Sequence, residues 1–600
     1  MNYGKTNFHR LMFIAIVVGV AAGFGSLLFF KGLQIATAFF MGTLLGYNYP
    51  VESQTAAEIA GWAPPPVIWY ILPIICFGAL VSGILVFLLA PETEGHGTDA
   101  AIRAFHGEGK IRRRVPFVKA VTAILTISTG GSAGREGPTA QIAAGIGCMV
   151  AEMLNLSPQE RRMALNIGIG AGIGTIFMAP LGGAILAAEI LYRKDFETAV
   201  IVPAFLASII GYSIFGLFEG FSPVFAETSI FWSVYQLPFF LLLGLICAAY
   251  GWLYVRSFYQ THDVFAMLVT RYHIPPFVKP VTGAFLTGLI VILLSLFVPF
   301  GTELGFGSLG SGYGFVQLAL YSMLPLAVLI ALPFLKILTT SLTIGSGGSG
   351  GVFAPGLVIG GMIGGMCGVI LNLVFPAFFP VETIPAFIII GMIALFGCVA
   401  FAPISVMIMV VEMTGNFSLL VPAMGAVAVA CLVTTGPGIY HAQVETKADS
   451  EAHRGKYEIS LLEHVPAGTS MTPADRVIVL HPEQKSGQVL NLIRSHGHTG
   501  FPVLEEGKLV GIMTIQDVRQ VREKKDLNIP VRSGMTSNLL TITPDVTLDR
   551  ALKIMIEYDI NHLPVVKPED AGTMIGFLTR TDIMTAYARC SKVNNGYTKI

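Results

Sequence analysis

Long apolar segments follow one another almost without interruption from Leu11 to about Thr435 and constrain the fold more than any other feature. Several exceed the roughly 20 residues that one membrane-spanning helix needs, whereas others are interrupted by Gly or Pro. Only 12% of the 600 residues are charged, although an ordinary soluble protein carries about 25%. The chain is therefore predicted to cross a membrane many times, with tilted, kinked and half-spanning helices.

The positions of Lys and Arg predict how the chain is oriented. Basic residues cluster in loops such as Lys110–Arg114 and at Arg193 and Lys194, whereas Tyr47–Pro66 and Asn372–Phe387 contain none. By the positive-inside rule the basic loops are cytoplasmic and the other stretches are external.

The membrane part contains an internal repeat. GGSAGREGPTAQIAAGIG (Gly130–Gly147) aligns without gaps on GGSGGVFAPGLVIGGMIG (Gly347–Gly364), and APLGGAILAAE (Ala179–Glu189) aligns on APISVMIMVVE (Ala402–Glu412). Broken helices at corresponding places in two halves point to a transport site between the halves. If both helix starts face one point near the midplane, the halves are expected to be inverted.

The first copy of the repeat, Gly130–Pro138, holds Arg135 and Glu136 within apolar sequence. Ionisable groups at membrane depth are expensive and are interpreted as functional. The glycines let the backbone approach a ligand, and Pro138 suits the first turn of a new helix. A helix N-terminus offers free N–H groups and the positive end of a dipole, which bind anions. Glu136 is itself an anion, so it is predicted to compete for the site.

After Gly436 the composition changes to that of a soluble α/β domain, and this part is also duplicated. GIMTIQD (Gly511–Asp517) recurs as GFLTRTD (Gly576–Asp582), and each copy is predicted to run helix, strand, turn, strand, helix. The predicted organisation is a membrane domain over residues 1–442, a polar linker over 443–460, and two α/β copies over 461–525 and 526–590.

GREGP, GVFAP and the isolated Tyr440 after the last apolar segment together resemble the CLC family of chloride channels and chloride/proton antiporters, over roughly residues 1–448. The C-terminal pair resembles tandem CBS domains. The resemblance implies an all-α polytopic membrane domain of two inverted repeats with a cytoplasmic α/β CBS pair. It also implies a homodimer in the cell membrane, with chloride as the transported ligand and no required cofactor.

Individual roles carry over by position. Glu136 matches the family's gating glutamate, and Tyr440 matches the tyrosine whose hydroxyl contacts the central anion. The resemblance assigns anion contacts, mostly through backbone amides, to His96, Gly97, Arg135, Gly137, Val352, Phe353, Ala354 and Tyr440.

The first anion motif departs from the family pattern. The family often has GSGIP, but here the stretch is GHGTD, with His96 in place of serine and Asp99 in place of proline. A neutral imidazole can still donate a hydrogen bond, and a protonated one attracts anions more strongly. The physiological anion is therefore left open, and a fluoride exporter is one alternative that the intact Pro138 disfavours by family pattern.

The inner proton site also departs from the family. Antiporters often carry two adjacent glutamates, whereas this chain has Glu189 followed by Ile190. Because an aliphatic side chain carries no proton, the sequence favours channel-like, uncoupled conduction or a different proton route. Channel-like conduction is the main interpretation, with chloride/proton antiport as the alternative. Glu189 and Glu412 are interpreted as polar groups at helix ends.

In the CBS pair, Thr514 with Asp517 and Thr579 with Asp582 match the GxxTxxD pattern of adenosine-binding sites. Adenine nucleotide binding is one interpretation, and capping of the following helix is the other. A third functional hypothesis follows, in which the chain is a nucleotide-responsive sensor with vestigial transport.

Other functions lack support in the sequence. GGSAG fits the G-x-S-x-G pattern of a hydrolase nucleophile, but its recurrence as GGSGG indicates a backbone geometry and not an enzyme. No GxxxxGK[ST] motif occurs, so nucleotide hydrolysis is not indicated. The formal net charge of zero gives no argument for nucleic-acid binding, and the seven scattered cysteines indicate neither a disulfide framework nor a metal site.

Overall fold

A computed structural model describes residues 5–226, 230–453, 462–523 and 528–594. The chain separates into two compact units, Met1–Ala452 and His453–Ile600. The first unit is helical and contains the apolar repeat, whereas the second is the α/β pair.

In the described part of the first unit, helices account for nearly all regular structure. In chain order they are α1 (Lys5–Thr37), α2 (Ala56–Ile59), α3 (Ile71–Leu89), α4 (Gly97–His106), α5 (Val115–Ser128), α6 (Glu136–Met153), α7 (Pro158–Ile176), α8 (Pro180–Glu189), α9 (Ile201–Glu219), α10 (Leu237–Tyr272), α11 (Val278–Phe297), α12 (Gly301–Gly307), α13 (Tyr313–Leu320), α14 (Leu326–Ile344), α15 (Phe353–Val374), α16 (Ile384–Val399), α17 (Pro403–Thr414) and α18 (Leu420–Val433). Within the described residues, eight helical segments are long and apolar enough to cross a membrane. Others, such as α8 and α17, are too short to cross alone, as the sequence predicts.

The two glycine-rich copies fold alike. Gly130 and Gly347 have positive φ angles of 104° and 101°, which glycine adopts at little cost. The next glycine in each copy donates to the end of the preceding helix, at 2.9 Å to Thr126 O and 3.0 Å to Thr343 O. Each bend ends one helix and starts the next, so α6 and α15 begin at equivalent places.

The helices α8 and α17 come from the second pair of repeated segments and pack against each other. The buried carboxylate of Glu189, at the end of α8, accepts hydrogen bonds from two N–H groups at the start of α17, at 3.1 and 2.7 Å. Glu412, at the end of α17, accepts from two N–H groups at the start of α8, at 3.2 and 2.8 Å. Each helix begins where its counterpart ends, so the two are antiparallel and the halves are inverted, as predicted.

Two buried lysines occupy equivalent places in the two halves. Lys119 on α5 donates to the carbonyls of Thr93 (3.0 Å) and Gly95 (2.7 Å). Lys336 on α14 donates to three carbonyls of residues 308–310, at 2.8 to 3.3 Å. Burial of an ammonium group is costly without such partners. Each lysine thereby fixes the loop that leads into α4 or α13.

The C-terminal unit follows the predicted order in both copies. The first copy comprises α19 (Ser486–His496), β2 (Gly500–Glu505), β3 (Lys508–Thr514) and α20 (Ile515–Glu523), after the short strand β1 (Thr472–Pro473). The second comprises α21 (Leu548–Glu557), β4 (His562–Lys567), β5 (Asp570–Thr579) and α22 (Arg580–Asn594). Strand β1 pairs antiparallel with β5, and Thr536 forms an isolated bridge to Ile512 on β3. The copies therefore exchange edge segments and form one intertwined unit.

The stretch expected to be a linker differs from that expectation at its start. Gln443 Nε2 donates to the carbonyls of Ile190 and Ala400, both at 2.9 Å, inside the membrane unit. The backbone N–H groups of Arg193 and Lys194 donate to the carbonyls of Val444 and Glu445. The polar composition predicted a linker, but the first residues of this stretch form hydrogen bonds with backbone groups of the membrane unit. Residues 454–461 lie outside the described residues.

Candidate anion-binding site

The starts of α4, α6 and α15 lie together in the centre of the membrane unit. The Gly134 N–H donates to Gly351 O at 2.8 Å, which joins the two glycine-rich copies. Gly137 lies so close to Gly351 that an added Cβ would stand 2.9 Å from its Cα. Gly97 packs equally closely on the Gly137 carbonyl. Three positive helix ends therefore face one small region, an arrangement that suits an anion.

The Glu136 side chain lies in this region and does not face lipid. The residue is 1% exposed, and its Oε1 accepts a hydrogen bond from the Tyr313 hydroxyl at 2.8 Å. The other oxygen lies beside Gly134 and near the Ala354 backbone nitrogen, at the start of α15. The carboxylate therefore stands where the free N–H groups of a helix start point.

Arg135 does not pair with its neighbour Glu136. Its guanidinium forms a salt bridge with Glu52, at 3.1 Å, and stacks over the ring of Phe30, 4.9 Å from the centroid. The side chain of Arg135 is therefore engaged elsewhere, so the predicted anion contact of this residue would be made by its backbone N–H group.

Tyr440 and His96 lie next to each other on the opposite side of the site from Tyr313. Tyr440 is 1% exposed, and its ring centroid is 5.7 Å from that of His96. His96 Nδ1 is buried and has no hydrogen-bond partner within the described residues. A buried ring nitrogen without a partner fits a ligand that the protein binds there. The serine position of the family thus carries another potential donor.

Asp99 has a structural role that explains its presence. Its carboxylate accepts from the Ala442 N–H at 2.7 Å and pairs with Arg103 at 2.8 Å. The segment that carries Tyr440 is thereby attached to the start of α4.

The second half contributes residues that sequence reasoning missed. Ala133 N–H donates to Gly310 O (3.1 Å), and Gly350 N–H donates to Gly95 O (3.3 Å). These matched contacts make GSGYG the counterpart of GHGTD and place Tyr313 at the start of α13. The similarity of the two pentapeptides was the available signal, but it is too short to detect without the fold.

Val352 and Phe353 hold α15 in place. The Val352 carbonyl accepts from the Tyr254 hydroxyl at 3.0 Å. The Phe353 ring packs between Phe177 and Phe396, with centroid distances of 4.9 and 4.1 Å. Both side chains are apolar, so the predicted anion contacts of these residues would be made by backbone amides.

Two cavities approach the site from equivalent places in the two halves. The Arg135 cavity, of about 400 Å³, is lined by Arg135, Glu52 and residues 310–312 among others. The His96 cavity, of about 590 Å³, is lined by His96, Asp99 and His441 among others. Glu136 follows Arg135 in the chain, Tyr440 lies beside His96, and both Glu136 and Tyr440 are buried, so the site resembles a pathway that is closed between the two cavities.

Ile190 is fully buried at the predicted inner proton position. Its neighbour Glu189 is 3% exposed and is engaged as the cap of α17 described above. Glu189 and Glu412 thus act as helix-end groups, and each binds the other half of the repeat.

In the CBS pair both GxxTxxD aspartates cap helices. Asp517 accepts from the Thr514 N–H (2.7 Å) and hydroxyl (2.8 Å), and Asp582 accepts from Thr579 in the same way (2.9 and 2.7 Å). This is the capping alternative. A cavity of about 170 Å³ is nevertheless lined by Thr514 from the first copy and His562 from the second.

The fold and the site define a polytopic membrane transporter of anions, built from two inverted halves. Residues 78–435 match the sequence profile described as "Voltage gated chloride channel", and residues 469–524 and 526–589 each match the CBS domain profile. The chain belongs to this chloride channel and transporter family, and its C-terminal unit is a tandem CBS pair.

Relatives and solved structures agree with this assignment. The chain is 30% identical over 456 residues to the H(+)/Cl(-) exchange transporter ClcA of Vibrio campbellii, covering 71% of this chain and 87% of the relative. It is 29% identical over 440 residues to the ClcA of Yersinia pseudotuberculosis, covering 71% and 84%. The structure of a slow cyanobacterial Cl-/H+ antiporter matches with a TM-score of 0.58 and 26% identity, covering 72% and 96%. A eukaryotic CLC transporter shares the fold over 96% of this chain and 99% of its own, with a TM-score of 0.56 and 18% identity.

These findings do not support the channel-like interpretation drawn from Ile190. The named relatives are proton/chloride exchangers, which is the alternative that the sequence left open. The argument from one aliphatic residue concerned one proton route and left a different route open.

Proposed function

We propose that this chain exchanges chloride for protons across the membrane. The observation that carries the proposal is the position of the Glu136 carboxylate, which lies at the start of α15 where an anion would bind. The exchange activity in the names of its relatives supports the same choice.

Competition for one position links the two ions. Ionised Glu136 satisfies the helix dipoles and excludes chloride. Protonation removes the charge, so the acid gains less from the dipoles, and chloride replaces it. Each passage of an anion past this point then requires a proton to be taken up or released. The Tyr440 hydroxyl and the helix N–H groups would replace the water around the anion without a full positive charge, which would hold it too strongly.

The inner proton route must avoid Ile190. The His96 cavity brings titratable side chains, including His262 and His441, toward Tyr440. We place the proton entry in this cavity.

The test uses the purified full-length protein in liposomes with a chloride gradient and no initial pH gradient. Exchange predicts that chloride flow drives protons uphill, recorded as a pH change in the external medium. Glu136→Gln should abolish the proton movement and leave chloride flux. Chloride flux without proton movement in the unmodified protein would establish uncoupled conduction. Proton movement driven by a fluoride gradient but not by a chloride gradient would establish a fluoride exporter.

Three further parts of the proposal concern the surroundings of the protein. We place it in the cell membrane as a homodimer with one pathway per subunit and with the CBS pair in the cytoplasm. Cross-linking in intact membranes tests the dimer, and protease accessibility of the CBS pair in sealed vesicles of known orientation tests the topology.

A second candidate activity is adenine nucleotide binding by the CBS pair. The cavity shared by Thr514 and His562 favours it, and the second carboxylate oxygen of each GxxTxxD aspartate, beyond the one that accepts from threonine, would suit ribose hydroxyls. Titration of the full-length protein with AMP and ATP, followed by calorimetry, tests binding. Flux that responds to nucleotide would indicate regulation, whereas nucleotide binding in a protein without measurable flux would favour the sensor hypothesis.

A further inference from the structure

We propose that Tyr313 is an outer latch on the gate: its hydroxyl holds the Glu136 carboxylate in the blocking position and sets the pH at which the pathway opens. The inference rests on the proposed function, because it assumes that Glu136 is the gate. Tyr313 is a positioning residue, since it contacts Glu136 and acts on transport through it.

The contact itself is direct and fully enclosed. Tyr313 is 0% exposed, and its hydroxyl donates to Glu136 Oε1 at 2.8 Å. Its ring packs edge-on against Phe225, with a centroid distance of 5.5 Å. Water does not reach the hydroxyl to replace the carboxylate, so the hydrogen bond has no ready substitute.

The backbone that carries Tyr313 is rigid, which makes the donor a fixed point. Gly312 precedes it with a positive φ of 82° and packs against Lys336, whose ammonium would be 3.2 Å from an added Cβ. Lys336 in turn binds the carbonyls of residues 308–310. The following residue, Gly314, is in contact with the Pro50 carbonyl. Because this loop is held on both sides, opening must move the Glu136 side chain away from the phenol.

The hydrogen bond favours one state of the gate. A bond from a neutral donor to a carboxylate is stronger than the same bond to a carboxylic acid. Tyr313 therefore stabilises ionised, blocking Glu136 and opposes the protonated form that leaves. The internal repeat gives the inner side a related contact, since Thr98, the counterpart of Tyr313, lies against the Tyr440 hydroxyl.

Other charged and titratable groups face this pair but are engaged elsewhere. Arg135 is 5.8 Å from the Tyr313 ring centroid and is paired with Glu52. Lys336 is bound to three carbonyls. Tyr440 interacts electrostatically with Glu136, and its hydroxyl lies against Thr98. The Tyr313 hydroxyl is thus the side-chain donor that contacts Glu136 Oε1.

The experiment measures chloride flux from liposomes across a range of pH for four forms of the full-length protein and one control. Tyr313→Phe keeps the ring and its packing and removes only the donor. We expect its half-maximal flux at a pH about one unit higher than in the unmodified protein, because a charge-assisted hydrogen bond of typical strength is lost. Tyr321→Phe is the matched control, since Tyr321 ends the same helix and its hydroxyl donates to Gln54 O. It should leave the profile unchanged.

The remaining two forms, Glu136→Gln and the double variant Glu136→Gln/Tyr313→Phe, separate a latch from a structural effect. If Tyr313 acts through Glu136, both should show the same pH-independent flux. The latch would be refuted if adding Tyr313→Phe to Glu136→Gln changed the pH profile of flux as much as Tyr313→Phe changes it in the unmodified protein. If Tyr313→Phe retains the original profile while Glu136→Gln loses it, the latch is wrong and the gate stands. If Glu136→Gln keeps the original profile, the proposed function itself fails.

Discussion

The reciprocal capping of α8 and α17 predicts that Glu189 is a structural residue whose loss is felt in stability. Its carboxylate accepts from the N–H groups of Ile404 and Ser405 and from the Ser405 hydroxyl, at 3.1, 2.7 and 2.5 Å. In Glu189→Ala the hydroxyl can turn to the Ala402 carbonyl, which is already 3.3 Å away. The two N–H groups remain without an acceptor in a buried position.

Each buried donor left without a partner costs about 1 to 3 kcal/mol, so Glu189→Ala should lower the stability by about 2 to 6 kcal/mol. Glu412 makes the equivalent contacts but is only partly buried, and Leu181 beside it is 41% exposed. In the detergent-solubilised protein, solvent can reach the N–H group of the exposed Leu181 more readily than the enclosed donors beside Glu189, so Glu412→Ala should cost about 1 to 2 kcal/mol. Two residues at matching positions of the repeat are therefore expected to differ in importance.

The assay heats the full-length protein in detergent and measures the fraction that remains monodisperse at each temperature. Glu189→Ala should unfold at a clearly lower temperature than Glu412→Ala. The milder Glu189→Gln should retain the proton-to-chloride ratio of the unmodified protein in liposomes. Equal stabilities of the two alanine variants would refute the capping argument. A stable Glu189→Gln variant that has lost proton coupling would make Glu189 a proton relay.

Three further predictions follow from single contacts. His96→Ala should weaken chloride binding about fivefold, as measured by calorimetry, whereas His96→Ser should largely preserve it because serine retains a donor for the buried anion. Equal chloride affinities of the unmodified protein and both variants would exclude a contact. Lys336→Met removes the ammonium group's hydrogen bonds to three carbonyls and should lower thermal stability more than Lys279→Met, since Lys279 pairs with a partly exposed Glu94. The reverse order would contradict the assigned role. Burial and the nearby His498 lower the pKa of His562, so the unfolded chain binds more protons and the CBS pair should lose stability as pH falls below about 6.5. Hydrogen exchange of β4 in the full-length protein, corrected for intrinsic rates, should show this loss and should not show it in His562→Asn.

The sequence predicted the features that depend on local pattern. Apolar length indicated the membrane helices, and the gapless repeat at Gly130 and Gly347 indicated two halves, with a helix start near Pro138 and a matching start in the second copy. The bends are visible because they depend on local backbone preferences: glycine permits positive φ angles, and proline suits the first turn of a helix. The order of elements in the CBS copies followed from alternation and turn residues in the same way.

Contacts between distant segments were not predictable from the sequence. Tyr313 reaches Glu136 across 177 positions of sequence, and nothing near either residue indicates the pairing. Gln443 and its neighbours have the composition of a linker, yet they satisfy carbonyls of the membrane unit. The channel-like interpretation was unsupported for a related reason. Ile190 describes one route for protons, whereas coupling depends on every path that reaches Glu136.

The central claim is that the Glu136 carboxylate and a partly dehydrated anion compete for one position between Gly134 and Ala354. The direct measurement is anomalous diffraction from bromide in crystals of the unmodified protein and of Glu136→Gln and Glu136→Ala. The account predicts a new bromide peak at that position in the Glu136→Ala variant, beside the Ala354 nitrogen and within reach of the Tyr313 hydroxyl. If bromide occupied the same positions in all three crystals and left that place empty, the claim would be contradicted.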